Sequence, residues 1–443
     1  MAVTSANFMI QRFLNKPKIS DLFDSDKAKA ICKLIWISDT DSETNIRVFD
    51  QVEEDNLILL HYLNPEPSVY HVRGLVVDHL TLEIVGQSFP FTEELSPESL
   101  KPTSVDNSNC DDDVPKGNIH GDINDYYITH AYEGTILRFF QGRTTKKWYL
   151  STHKKINGRR SRWSGPMFGD IFDGFWKDPE SLCDGLDGRA CYIFLISHPD
   201  NRLVCRITIK IMLLGYTTGN CLYSLIDPDL GVKVEDPLEY LQSQMIEGSV
   251  ENRETFHVET MDELVEKTNG LVWEECTGLL LTYWDNVKPR LRCYKIVPDE
   301  YTKRRDLRGS EPNFRLRYLQ LYAEGTDQDF RELFSEKEEF FDSIDKDVTI
   351  DLPRYLKQLY YERYTKKEFT LLPSEQHYVL EKTRKEYTPG KSILSNLRET
   401  LSECNPRQLN ALIKYMYASR KTNFVNECTS TVKISPESQN ENS

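Results

Sequence analysis

Residues 125–156 read DYYITHAYEGTILRFFQGRTTKKWYLSTHKKI, and both the pattern and the charge of that stretch are informative. Tyr127–Phe140 alternates and is rich in β-branched and aromatic residues, which predicts a strand. Gln141-Gly142-Arg143 breaks the alternation and Trp148–Thr152 resumes it, so a turn and a further strand are expected. Between Arg138 and Arg162 there are nine basic residues and no acidic one: Arg138, Arg143, Lys146, Lys147, Lys154, Lys155, Arg159, Arg160 and Arg162. Trp148 and Tyr149 lie inside that run and Trp163 follows it. The chain as a whole has the opposite balance, 70 acidic against 55 basic residues and a net charge of −15. Basic clusters bind phosphates because each neutralised phosphate releases counterions and each guanidinium can hold two oxygens. A second basic region runs from Lys288 to Arg308. The competing interpretation of either run is a solvated face.

On the N-terminal side, Leu57–Tyr62 and Val72–Asp78 are short and β-branched, as strands are. The polar stretch 102–118 predicts a long exposed loop. On the C-terminal side, Ala190–Ser197, Leu203–Leu214, Leu279–Trp284 and Leu291–Val297 are strand candidates, with helical spacing in Pro237–Glu247 and Met261–Thr268. Beyond about residue 326 the strand signals fade. Asp327–Phe341, Leu352–Lys367, Ser374–Tyr387 and Ser392–Ser419 carry apolar residues at three-to-four spacing, which predicts a helical module. The last fifteen residues, TSTVKISPESQNENS, have the composition of a disordered tail. The fold class expected is therefore α+β, with antiparallel sheet followed by helices.

Composition excludes several functions. At 39% apolar and 28% charged, the 443 residues suit a globular protein, and no stretch approaches the roughly eighteen uncharged apolar residues of a membrane span. The N-terminus lacks an apolar signal segment, and the ten cysteines contain no CxxC pair, so a reducing, cytoplasmic setting is expected. No GxxxxGK[ST], GxGxxG after a strand, HExxH or GxSxG occurs. His153 and His198 are available for acid–base work, although an isolated histidine is more often structural.

The segment Asp125–Thr135 resembles the active-site region of the bacteriophage RNA ligase 1-type covalent nucleotidyltransferases, and the likeness recurs in the family's order. Arg73-Gly74-Leu75-Val76 with Glu83–Phe91 (EIVGQSFPF) resembles the RG segment before the active-site lysine. Trp148–Ile156 is similar to the strand after it, and Phe194–Val204 (FLISHPDNRLV) to the nucleotide-site strand with its PxNRIV. Cys276–Leu281 stands where EG-V-V belongs, and Tyr294–Tyr301 (YKIVPDEY) resembles the last motif, KIxxDxY. Arg308–Leu321 and the helices beyond are similar to proteins of large cytoplasmic DNA viruses, which implies location in host cytoplasm or virion. The resemblance implies an antiparallel-sheet, ATP-dependent ligase-like domain over residues 1–325, a helical domain over 326–428 and a tail over 429–443.

Catalytic groups of that family are not carried over intact. The lysine of KxDG attacks the α-phosphate of ATP to form lysyl-AMP. Its position here is Ala131, and the aspartate is Glu133. The glutamate of the EG motif is Thr277, and the second lysine of the last motif is Val297. Basic groups survive: Arg73, Arg138, Arg202 and Lys295 are the nucleotide- and phosphate-binding candidates, with Lys154 and Lys155 beside them. Three functions follow as expectations. The first is a ligase-like protein that binds nucleotide or RNA phosphate ends without lysyl-adenylate chemistry. The second is an active RNA ligase using ATP and Mg²⁺, with Glu133 and a migrated Lys154 or Lys155 as catalytic groups. The third is a viral structural or interaction protein with a nucleic-acid groove. No metal-ligand set is assigned, and RNA rather than a membrane is the expected partner.

Overall fold

In the computed structural model the described residues are 13–37, 45–100, 119, 122–163, 165–206, 208–218, 237–246, 251–252, 255–285, 290–311 and 313–431. The expected loop at 102–118 and the residues after 431 lie outside them. The chain divides into two compact units, Met1–Arg305 and Asp306–Ser443. The helix Phe314–Glu324, which the sequence assigns to the first domain, belongs to the second unit.

Fourteen strands are found among the described residues: β1 (Ile46–Val52), β2 (Leu57–Tyr62), β3 (Arg73–Asp78), β4 (Glu83–Gly86), β5 (Thr92–Leu95), β6 (Tyr127–Ala131), β7 (Thr135–Gln141), β8 (Trp148–Ser151), β9 (Ala190–Ser197), β10 (Lys210–Thr218), β11 (Glu251–Asn252), β12 (Thr255–Phe256), β13 (Gly278–Asp285) and β14 (Arg290–Ile296). They form three sheets, ordered β1-β2-β3-β4, β11-β10-β9-β7-β8 and β12-β6-β13-β14-β5. Pairing is antiparallel except at β5–β14 and β10–β11.

Side-chain parity explains the layering. On β2 every residue is buried. Ile58, Leu60 and Tyr62 pack with Ile31 and Ile35 at the helix Ser25–Leu34, whereas Leu57 and Leu59 meet Phe140 and Tyr149 of the second sheet. Both faces of this sheet are covered, so its strand reads as a continuous apolar run. The second sheet likewise buries Leu137, Phe139, Tyr192 and Phe194 against Phe172 and Trp176, at and just beyond the helix Phe168–Asp173. Asp55, wholly buried after β1, ties the first sheet to the β7–β8 turn through Thr144 N–H (3.1 Å), Thr145 N–H (2.7 Å) and the Tyr149 hydroxyl (2.6 Å).

Two strand expectations need correction. Tyr127–Phe140 is not one strand: Tyr132-Glu133-Gly134 turns the chain out of the third sheet and into the second. Leu203–Leu214 is strand only from Lys210, because the backbone N–H groups of Leu203–Cys205 are taken by a carboxylate. In the second unit, Asp327–Phe341 divides into the helices Asp327–Leu333 and Glu338–Lys346, and Ser392–Ser419 into Ile393–Ser402 and Pro406–Thr431. Phe314 packs there against Phe330, Phe334 and Phe341. Among the described residues no helix is long and apolar enough to cross a membrane.

Candidate functional site

The crossing of the chain between sheets brings the end of β6 to a cavity of about 480 Å³. Its walls come from β5, β6, β13 and β14 on one side and from Ile136, Leu195 and Leu214 of the second sheet on the other, with Arg73, Phe89 and Phe91 closing an end. Volume and apolar lining fit a small-ligand pocket, for which ~300–1,000 Å³ is usual. Four positions picked out by motif order line it together: Arg73, Ala131, Thr277 and Lys295. They span more than two hundred residues of sequence and reach one place only because β3, β6, β13 and β14 assemble as described.

Local structure fixes each of them. Ala131 ends β6, where its carbonyl accepts from the Thr277 N–H (2.7 Å) and the Thr277 hydroxyl (2.9 Å). Gly278, opposite Ala131, has φ +150°, and a Cβ there would lie 2.1 Å from the Ile296 carbonyl oxygen, so no larger residue fits. Gly74 has φ +71°, and a Cβ would meet the backbone of His153 at 2.7 Å. That close approach sets Arg73 at the cavity edge beside the turn after β8. Lys295 pairs with Glu94 (3.0 Å), its register partner on β5, and lies 5.7 Å from the Tyr301 ring centroid. Burial pushes the Glu94 carboxyl up, but Lys295 and Arg305 outweigh it and hold the group below its usual range.

The electrostatics at the Arg73 end are one-sided. Arg73 donates one long hydrogen bond, to the Pro90 carbonyl (3.3 Å), and burial depresses its guanidinium. Arg138, wholly buried behind it, donates to the Gly74 and Thr152 carbonyls and to the Ser151 hydroxyl (2.6 Å); burial pushes it down to about 10. Neither has a carboxylate partner among the described residues. Burial, then Lys154, Arg73 and Arg138, pushes His61 down to about 3. His153 is held well below the ordinary histidine range by burial and then by the charges of Arg73 and Arg138; its Nε2 lies 3.2 Å from the Ser88 hydroxyl. Both imidazoles are therefore neutral at pH 7. Isolated buried charge is costly; Arg138 offsets part of that cost by donating to the Gly74 and Thr152 carbonyls and the Ser151 hydroxyl, whereas Arg73, at the cavity, has the single Pro90 carbonyl.

The remaining candidates lie elsewhere. Glu133 is buried, and its carboxylate accepts from the N–H groups of Leu203, Val204 (2.9 Å) and Cys205 (2.9 Å) and from the Tyr301 hydroxyl (3.4 Å). It is not among the residues lining the cavity, and its acceptors are occupied, so the geometry gives it an anchoring role rather than the catalytic one expected. Lys155 pairs with Asp50 (3.4 Å), and Lys154 sits over the Phe13 ring (4.2 Å to the centroid). Neither lines the cavity, which leaves the migrated nucleophile without geometric support. Arg138 is enclosed and does not line the cavity; its charge bears on His61 and His153. The Arg202 Nε donates to its neighbour Val204's carbonyl (3.2 Å). The second basic run is largely consumed internally: Arg304 pairs with Glu300, Arg305 with Glu94, and Arg308 donates to the Glu311 carbonyl (2.8 Å).

The lining assigns no metal-ligand set: Glu94, its carboxylate, already holds Lys295 and Arg305, and Mg²⁺ otherwise takes its oxygens from water and substrate phosphates. Among the described residues no cluster of three or more His, Cys, Asp or Glu could hold a metal. Sequence reasoning missed Phe89, Phe91, Thr92 and Glu94. The two phenylalanines lie inside the quoted EIVGQSFPF, but nothing local marks Glu94, whose role arises from β5 pairing with a strand two hundred residues later.

No protein-family profile matches this chain. The chain is similar to viral immediate-early proteins. It is 27% identical over 410 residues to the immediate-early protein ICP-46 homolog of Invertebrate iridescent virus 6, covering 85% of this chain and 83% of that one. To the homolog of Invertebrate iridescent virus 3 it is 27% identical over 325 residues, 70% of this chain; the match spans 63% of that relative's length. To the immediate-early protein ICP-46 of Frog virus 3 it is 25% identical over 228 residues, covering 46% of this chain and 52% of that protein. A solved structure from Aquifex aeolicus, described as a proposed ATP-dependent DNA ligase, aligns at 12% identity and TM-score 0.35 over 69% of this chain and 77% of that one.

Proposed function

We propose that the cavity binds a nucleotide or the phosphate end of a nucleic acid and that the protein does so without forming a lysyl-adenylate. One observation carries this reading. Arg73 and Lys295 line the cavity, with Arg138 behind Arg73, while the position that the motif resemblance gives to the ligase nucleophile is the methyl group of Ala131. The apolar walls suit a base, and the guanidinium end suits a phosphate, which it can hold through two parallel N–H donors. A methyl group has no lone pair and cannot attack phosphorus.

The test is calorimetric titration of the intact protein with ATP, with inorganic phosphate and with a 5′-phosphorylated oligonucleotide. Arg73→Ala should weaken whichever ligand binds by about 10- to 100-fold, since a charge-assisted hydrogen bond contributes roughly 1.5–3 kcal/mol. Binding that is unaffected by Arg73→Ala and Lys295→Ala would remove the cavity from consideration.

A further inference from the structure

A second basic surface lies outside the cavity, on the loop between β8 and the helix Phe168–Asp173. From Gly134 to Gly169 the sequence contains no Asp or Glu, in a chain of net charge −15. Of its nine cations, Arg138 is enclosed, Arg143 faces Glu83, Lys154 lies over Phe13 and Lys146 sits in the β7–β8 turn. Lys147, Lys155 and Arg159 are spent on Glu54, Asp50 and Asp173, the last pair at 2.6 Å. Arg160 and Arg162 are exposed and make no ion pair among the described residues. Between them and the helix stands Trp163, 43% exposed, with no ring or cation partner among the described residues.

The loop holding these three side chains is fixed by its backbone. Gly158 N–H donates to the Leu150 carbonyl (2.6 Å), Ser161 N–H to Gly158 (2.8 Å), Phe168 N–H to Ser161 (2.8 Å) and Gly169 N–H to Arg159 (2.9 Å). Gly165 packs on Asp200, where a Cβ would lie 2.4 Å from the Asp200 Cβ. Asp200 belongs to the segment whose next residues, Leu203–Cys205, are clamped by Glu133, two residues from Ala131. A partly exposed indole that directly follows two exposed guanidiniums, none of the three paired among the described residues, offers a ring face and two cations on one short loop. Bases stack on aromatic faces while the adjacent phosphates take the arginines, a combination that suits an unpaired strand and not a duplex, whose bases are buried.

We infer that Arg160, Arg162 and Trp163 form a docking surface for single-stranded nucleic acid, with Trp163 stacking on a base and the two arginines on flanking phosphates. This surface stands independently of the cavity and takes the body of a strand rather than its phosphate end.

The test uses the full chain and a 3′-fluorescein oligouridine of about 20 nucleotides with a 5′-hydroxyl, longer than the ~4–16 nucleotides of a compact single-strand site. Anisotropy titrations are run across a salt series. Arg160→Ala with Arg162→Ala should weaken binding and reduce the slope of log affinity against log salt by about 1.4, at ~0.7 per single-strand phosphate. Trp163→Ala should weaken binding roughly five-fold or more without changing that slope, and Trp163→Phe should restore most of it. Circular dichroism and thermal melting establish that the variants are folded, and Lys337→Ala with Lys346→Ala serves as a charge-matched control. Oligouridine binding with wild-type affinity and slope in both loop variants, or equal displacement by polyglutamate, overturns the inference. Loss of oligouridine binding only in Arg73→Ala overturns it too while leaving the cavity reading intact; the reverse pattern sustains this surface and not the cavity.

Discussion

Glu133 separates a structural account of the Tyr132-Glu133-Gly134 turn from a catalytic one. Its carboxylate receives three consecutive backbone N–H groups and a tyrosine hydroxyl in a buried setting. Glu133→Ala leaves those three amides without an acceptor. Each buried donor left unsatisfied costs about 1–3 kcal/mol, and some regain water as the loop relaxes, so the expected loss is about 3–6 kcal/mol. Glu133→Gln keeps one acceptor oxygen and turns an amide toward the same donors, so about half of that loss is expected. All six tryptophans lie within residues 1–305, so tryptophan fluorescence during urea unfolding reports on the unit that contains Glu133. The midpoint should fall with little change in slope, which identifies a loss of native stability. A catalytic carboxylate held ready for substrate has unsatisfied acceptors and is removed at little cost. A loss below about 1 kcal/mol in Glu133→Ala, well under the single-donor range for three donors together, would refute the anchoring role.

Acid should destabilise the first unit through His61 and His153. Both have folded-state values below the unfolded value, so the unfolded chain takes up protons first; stability is complete above about pH 6.5 and falls below it by roughly 1.4 kcal/mol per pH unit for each histidine. Urea unfolding at pH 7, 6 and 5 measures this, and His61→Gln should remove about half of the slope between pH 6.5 and 5; an unchanged slope contradicts it. Lys154→Ala with Lys155→Ala should leave ATP affinity within about three-fold, because one ammonium lies over Phe13 and the other on Asp50, outside the cavity. A ten-fold loss in the calorimetric titration would restore those lysines to the site.

Much of the fold was legible where local pattern and burial agree. Ala190–Ser197 is β9 residue for residue, and the expected pair Leu279–Trp284 with Leu291–Val297 is the β13–β14 hairpin. The failure at Tyr127–Phe140 has a physical origin: strand-like alternation runs on past Glu133-Gly134, and period two says nothing about which sheet a strand joins. Leu203–Leu214 is apolar and β-branched enough to predict a strand, yet the N–H groups of its first three residues serve the Glu133 carboxylate, a contact seventy residues distant in sequence. Break points in the helical unit were equally hidden, since Asn405-Pro406 interrupts an apolar spacing that continues on both sides. Motif order brought out Arg73, Ala131, Thr277 and Lys295, which line one cavity, because a motif series carries proximity that local pattern does not. Charge alone does not separate these from Lys154, Lys155 and Arg138, since a basic residue counts equally in sequence whether it faces a cavity, an aspartate or a carbonyl.

The central claim is that this cavity binds a nucleotide non-covalently. The most direct measurement incubates the protein with α-³²P-labelled ATP and Mg²⁺, then divides one sample between filter retention under native conditions and a denaturing gel. The expected result is label retained on the filter, displaced by excess unlabelled ATP and absent from the denatured band. Label that survives denaturation, mapped by mass spectrometry to a lysine, or no retention on the filter at all, would contradict the account.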